Sequence, residues 1–355
     1  MKVLFVRRHL DRAEFDMVMS MYQRGIHIRV LTESTSKYRQ QLEQAGIYIQ
    51  ALPYSSKIAP RFILQVRRTL RQGGFDIVHT TDSKSIANVV WASYFLPVKI
   101  IAYRGTLAKI RRYDISYWMA ILNPKIDRVV CVNRSIYEYM HQFFPAEKLL
   151  LNYKGYDPEW EDGIGEAEED FKVSCQGRFV VVSIATTRGR PHKGLPQLME
   201  AAGLMAIPNL LLVHIGNYDD DAPLMAAKGI NAGRIMLLGD RLNASRYLEL
   251  ADVYVLPSLR DGMPRAVKEA MARALPVVST NIPGPTDMVV DGQTGLLVTP
   301  GSPQAIADAV TRLYQDPVLR QKLGEGGKQY LLENFSPESF VEKTVALYED
   351  LMASG

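Results

Sequence analysis

Cysteine is nearly missing. Cys131 and Cys175 are the two in 355 residues, and they form no recognisable metal-ligand spacing or disulfide framework. A stapled secreted scaffold is thereby excluded, and a reducing, cytoplasmic setting is the expectation. Long hydrophobic runs are lacking as well. The most apolar longer segment, Ile86 to Tyr103, is broken by Pro97 and Lys99, so no stretch has the length that a membrane span requires. The first apolar run, Val3 to Val6, ends in Arg7 and Arg8, which is too short for a signal peptide and reads as a buried strand. Histidine is sparse, and His79 and His192 have no partners at ligand spacing, so no metal site is expected.

What is present is charge, unevenly placed. Residues 1–150 carry 23 Lys plus Arg against 11 Asp plus Glu, a balance of +12, whereas residues 151–355 carry 19 against 27, a balance of −8. The first half is thus suited to something anionic: nucleic acid, a phospholipid surface or a phosphorylated acceptor. Nucleic acid is the least attractive, because no aromatic-basic recognition motif appears.

Short apolar runs alternate with helical patterns throughout. In the first half they are Val3 to Val6, Ile28 to Leu31, Ile47 to Leu52, Ile77 to His79, Ile100 to Tyr103 and Val129 to Val132. The second half offers Phe179 to Ile184, Leu210 to Ile215, Ile235 to Leu238, Val253 to Leu256, Val277 to Ser279 and Gly295 to Val298. This alternation predicts an α/β protein with two doubly wound parallel sheets. Between them the acidic stretch Asp157 to Gln176 is poor in large aliphatics and reads as a connector. The division is a first domain 1–160, a linker 161–176, a second domain 177–335 and a C-terminal helix 336–355 that would pack back on the first. Two such domains facing each other make a central cleft.

Two segments carry the chemistry. After the strand ending at Leu256, Asp261 lies in a loop, and Pro264 to Ala274 read as a helix with proline in its permitted first turn. Ligands collect at the carboxyl ends of parallel strands, where Asp261 falls. Glu269 follows eight residues later, roughly 130° from the centre of the apolar face of Ala266, Val267, Ala270, Met271 and Ala274 at 100° per residue, hence outward. In the blander reading Asp261 caps the helix and Glu269 pairs with Arg265 or Arg273. The second segment, Thr187-Arg-Gly-Arg-Pro-His-Lys-Gly194, sits between a strand and a helix near Leu195. Glycines, cations and a helix N-terminus there suit a pyrophosphate; an exposed loop with solvated charges is the competing reading. Asp219-Asp220-Asp221 reads as a solvated loop, not a metal motif.

Arg188, Lys193-Gly194, Leu237-Leu238-Gly239, Pro257-Ser258, Asp261, Glu269-Ala-Met271, Leu275-Pro-Val-Val-Ser279 and Asp291-Gly-Gln-Thr-Gly-Leu-Leu-Val298 together resemble the family 4 glycosyltransferases. More loosely, Phe75-Asp-Ile-Val-His79, Asp127 to Asn133 and Tyr153-Lys-Gly-Tyr-Asp157 are similar to the family's first-half strands and its domain-closing segment. The resemblance implies a GT-B arrangement of two Rossmann-like domains. It also implies a nucleotide-sugar donor held mainly by the second domain, an acceptor on the first, and retaining transfer without a required metal or other cofactor.

Position by position, Arg188 and Lys193 take the diphosphate-binding pair, with Arg190 competing for the arginine role. Asp261 takes the first acidic position near the transferred sugar. Glu269 takes the carboxylate that binds the donor ribose. Gly262 and Met263 would offer backbone groups to sugar or phosphate, and Leu238 and Gly239 would lie by the base. On the acceptor side stand His9, His79 and Arg104, the last where the family has a histidine. Asp261 replaces the family's glutamate, and Arg7-Arg8-His9-Leu10-Asp11 replaces its glycine-rich turn.

The leading expectation is therefore transfer of a hexose from a UDP- or GDP-sugar to an anionic lipid-linked or phosphorylated glycan acceptor of the lipopolysaccharide or exopolysaccharide type, at the inner face of the cytoplasmic membrane. A soluble glucan or small-glycoside synthase and a catalytically weak nucleotide-sugar-binding subunit are the alternatives. Two basic amphipathic segments, Lys57 to Arg71 and Lys109 to Met119, suit peripheral contact with anionic lipid. Ordinary helices with solvated faces are the competing reading of both.

Overall fold

The computed structural model describes residues 1–107, 109–161 and 167–353. Their contacts gather into two compact units, Met1–Gly155 with Pro337–Gly355, and Tyr156–Ser336.

The first unit is built on seven parallel strands: β1 Lys2–Val6, β2 His27–Thr32, β3 Tyr48–Gln50, β4 Ile77–Thr80, β5 Lys99–Arg104, β6 Arg128–Cys131 and β7 Leu149–Leu151, in the order β3-β2-β1-β4-β5-β6-β7. Val3 to Val6 are fully buried, as expected of a parallel strand covered on both faces. β1 pairs with β2 on one side and β4 on the other, so the direction of strand addition reverses between β1 and β4. The helix Arg12–Gln23 begins at a capping box, Asp11 accepting from the Glu14 amide and Glu14 from the Asp11 amide. β7 was not foreseen, because three leucines are too short for a periodicity to show.

The C-terminal helix Pro337–Ala353 belongs to this unit. Asn152 donates from Nδ2 to the Phe340 carbonyl at 3.1 Å and to Thr344 Oγ1 at 3.0 Å. Tyr348 Oη lies 2.7 Å from Nδ1 of His79, both side chains buried.

The second unit has six parallel strands: β8 Phe179–Ile184, β9 Leu210–Ile215, β10 Ile235–Gly239, β11 Val253–Leu256, β12 Val277–Thr280 and β13 Gly295–Val298, ordered β10-β9-β8-β11-β12-β13. Its core joins Val181, Leu212, Val253 and Val278 to Leu198, Ile306 and Val310 from the covering helices. The reversal falls between β8 and β11. Within the stretch 161–176, residues 162–166 lie outside the described residues, while Glu169–Cys175 is a helix. Phe171 anchors it, buried with its ring 4.8 Å from that of Tyr247. An acidic composition had concealed one well-placed aromatic.

Candidate active site

At the reversal of the second sheet, the loop after β8 meets the loop after β11, where a doubly wound sheet leaves its ligand crevice. The Leu259 amide donates to the His192 carbonyl at 2.7 Å, tying the two loops by main chain. Their approach is closer than a side chain would permit. Gly194 adopts φ +77°, and a Cβ there would stand 2.1 Å from the Pro257 carbonyl oxygen. From the loop after β12, Gly284 at φ +99° is pressed likewise, its Cβ position 1.8 Å from the Gly262 carbonyl oxygen. Both positions demand glycine on conformation and on space.

Lys193 and Asp261 face each other on this frame. Lys193 Nζ lies 2.7 Å from Asp261 Oδ2, and both side chains are largely shielded, 19% and 12% exposed. Asp261 also accepts from the Gly262 amide at 2.9 Å and from Ser258 Oγ at 3.4 Å. Thr280 Oγ1 donates to the Ser258 carbonyl, fixing that loop from β12. Asp261 does not cap the following helix. That helix is Arg265–Ala272, and Pro264 precedes it at the cap position, one place earlier than expected.

Glu269 departs from expectation. Instead of facing outward it is 8% exposed, with Oε1 2.7 Å from Arg265 Nε. The helix is covered on more than its apolar face: the neighbouring Lys268 is also buried, its ammonium 4.8 Å over the Phe335 ring. A helical wheel measured against one core could not show this. Burial raises the Tyr254 phenol above its ordinary range, and the charges of Glu269 and Asp261 push it further.

Arg188 is placed differently from Lys193. It is exposed and pairs with Asp220 at 3.3 Å, while the Gly189 amide donates to Asp219 Oδ1 at 2.8 Å. The Asp219–Asp221 stretch is an exposed loop, as expected, and two of its carboxylates hold the 187–194 loop. Arg190, also exposed, lines a cavity of about 200 Å³ with Asp219 and Asp221. The His192 imidazole is held below its usual range, by burial first and then by Arg260 and Lys193, with Arg190 adding and Asp261 opposing, which marks the loop as electropositive. Leu238 and Gly239 end β10, and Gly239 accepts from the Gly216 amide at 2.8 Å. Gly262 and Met263 are half-buried in the Asp261 loop. Sequence reasoning missed Ser258 as a hydrogen-bond partner, Thr280, Arg260 and Gly284. Of these only Gly284, between Pro283 and Pro285, carried a local signal.

In the first unit the three residues expected on the acceptor side belong to three adjacent strands, His9 just after β1, His79 in β4 and Arg104 at the end of β5. His9 is exposed, 3.7 Å from Glu33. Arg104 ends β5, its guanidinium pKa lowered by burial. His79, one residue before the end of β4, is 3% exposed, bonded to Tyr348 and edge-on to Phe5 at 5.2 Å, so it is packed in the core. In place of a glycine-rich turn, the end of β1 carries an ion network: Arg7 pairs with Asp11 and Glu14, and Lys154 reaches both carboxylates. Among the described residues, no group of three or more His, Cys, Asp or Glu is placed to hold a metal ion.

Residues 168–330 match the family described as glycosyl transferases group 1, and residues 14–160 match Glycosyltransferase Family 4. The chain belongs to the family 4 glycosyltransferases, and its fold is GT-B. It is 30% identical to the lipopolysaccharide core biosynthesis glycosyltransferase LpsE of Rhizobium meliloti over 51% of this chain and 49% of that protein. In this and the other higher-identity matches it spans about half the length of the curated relative. It is 25% identical to the UDP-Gal:alpha-D-GlcNAc-diphosphoundecaprenol alpha-1,3-galactosyltransferase of Escherichia coli over 82% of this chain and 80% of that one. In structure it resembles Anabaena Alr3699/HepE in complex with UDP, with TM-score 0.81, 18% identity and coverage of 99% of this chain and 100% of that one.

Proposed function

We propose that the chain is a retaining, metal-independent glycosyltransferase that moves a hexose from a UDP- or GDP-sugar to a lipid-linked or lipopolysaccharide or exopolysaccharide acceptor in cell-envelope glycan synthesis. The observation that carries the reading is the Lys193–Asp261 pair, held at the topological reversal of the second sheet beside the buried Glu269. The E. coli relative, whose name specifies a UDP-sugar and a diphosphoundecaprenol acceptor, supports the donor and acceptor classes.

Departure of a nucleoside diphosphate builds negative charge on its oxygens, and a fixed cation stabilises that charge more in the transition state than before it. Lys193 would do so, with Asp261 keeping its ammonium oriented until the donor arrives. Arg188 would join it by leaving Asp220, a step that an exposed ion pair opposes weakly. Glu269 would take the ribose hydroxyls in exchange for Arg265, and Gly262 and Met263 would border the sugar. Retention follows if the acceptor hydroxyl attacks from the leaving-group side: its oxygen bonds to the anomeric carbon as the carbon–diphosphate bond breaks, and its proton passes to the departing diphosphate. The basic first unit would hold the acceptor at an anionic membrane face.

The test is a panel of UDP, GDP and ADP sugars assayed for transfer and hydrolysis with and without EDTA. Turnover of one donor, unchanged by EDTA, is expected. Binding without turnover would favour a nucleotide-sugar-binding subunit, and EDTA-sensitive turnover would contradict the metal-free mechanism.

A further inference from the structure

Phe95, in the turn between the helix Ser83–Ala92 and β5, has φ +62°, a left-handed conformation that residues with a side chain rarely adopt, and it is 95% exposed. A large aromatic held by the main chain in solvent is costly on both counts, and such outliers concentrate at functional sites. It does not stand alone. Ring contacts run from Trp91 to Tyr94 at 5.7 Å and from Tyr94 to Phe95 at 6.2 Å. Asn123 Nδ2 joins Tyr94 Oη, at 3.2 Å, to the carbonyl of Trp118, at 3.0 Å. From Trp118 the chain leads back to Ile115 and Tyr113, 71% and 81% exposed.

Cations surround these side chains. On the helix Pro60–Gly73, Leu64 is 64% exposed with Arg61 and Arg68 one turn to either side, and Arg67 donates to the carbonyls of Ala92 and Tyr94 at 3.0 and 2.7 Å. Between positions 57 and 125 the sequence has twelve Lys or Arg and three Asp or Glu. All three acids have local duties: Asp82 and Asp114 cap helices, and Asp76 accepts from the Lys2 amide at 2.7 Å. The surface is left cationic around an apolar centre.

We infer that this face of the first unit is an insertion surface for an anionic lipid bilayer, with Phe95 as its wedge, Trp91, Tyr113, Ile115 and Trp118 at headgroup depth, and Arg61 and Arg68 on the lipid phosphates. Aromatic side chains with arginine around them match the apolar-to-anionic gradient of a membrane interface. The inference rests on the lipid-facing part of the function proposed above and names the surface that serves it.

Flotation of the full chain with phosphatidylcholine vesicles, with and without phosphatidylglycerol, tests it. Wild type should float with the anionic vesicles in low salt and shift the emission of Trp91 and Trp118 to the blue, read in a Trp160→Phe background. Phe95→Asn suits the left-handed backbone, so it should keep or raise Tm while weakening partition about tenfold. Arg61→Gln and Arg68→Gln should each weaken it about fivefold. No flotation of wild type with anionic vesicles, or equal flotation of wild type and Phe95→Asn, would overturn the inference. Flotation reads binding without turnover, so its failure leaves glycosyl transfer standing.

Discussion

The ammonium of Lys193 and the carboxylate of Asp261 lie 2.7 Å apart although 68 positions separate them in the chain. Each comes from a different loop at the reversal of the sheet, so the pair is a product of topology. Its chemical expectation is direct. Lys193→Ala should lower kcat by about 10²–10³-fold with a smaller change in KM, since the lost cation acts on charge that develops at departure. Steady-state kinetics on the donor identified by the panel would show it, and an unchanged kcat would remove Lys193 from the reaction.

Glu269 predicts a loss of another kind. Its carboxylate is buried, and hydrogen bonds to a charged group are worth about 1.5–3 kcal/mol. Glu269→Ala should therefore weaken binding of the nucleoside diphosphate about 10- to 100-fold by calorimetry. Affinity equal to wild type would refute the ribose assignment.

Glycine positions separate crowding from conformation. Gly194 and Gly284 combine positive φ with backbone contact, whereas Gly292, at φ +71°, has nothing within 4 Å of its would-be Cβ. Gly292→Ala should cost about 1–2 kcal/mol. Gly194→Ala and Gly284→Ala should each cost more and abolish donor binding. Denaturant melts of the three variants would reveal the order, and three equal losses would contradict it.

Buried histidines set an acid limit. Burial holds His79 down to about 3, with the Lys154 charge adding, and holds His214 down to about 4. Unfolded histidines titrate near 6.5, so between about pH 6.5 and 3 the unfolded chain binds more protons and the native state loses stability as pH falls. Denaturation midpoints measured from pH 7 to pH 4 should decline, and less steeply in His79→Gln. Identical slopes in variant and wild type would count against His79.

Much of the fold was legible because buried parallel strands are continuous apolar runs with turn residues at their ends. Phe179–Ile184, Leu210–Ile215 and Gly295–Val298 were predicted residue for residue. The candidate site was legible as segments but not as contacts. Nothing local to Ser258 announces Thr280, and nothing local to Arg188 announces Asp220, because Thr280 arrives at the end of β12 and Asp220 on the loop after β9. Glu269 was turned the wrong way because periodicity sees one helix and one core. The helix at Glu169–Cys175 was hidden because composition averages over the single aromatic that anchors it.

The close approach at Gly194 and Gly284 bears on how such a site can change. Its loops are registered against one another by main chain, carbonyl against glycine. Residues that project from those loops can then be exchanged while the scaffold stays assembled. Asp261 and the arginines of the cationic loop are such positions. Exchange at the projecting positions would leave Gly194 and Gly284 as the fixed points of the seam.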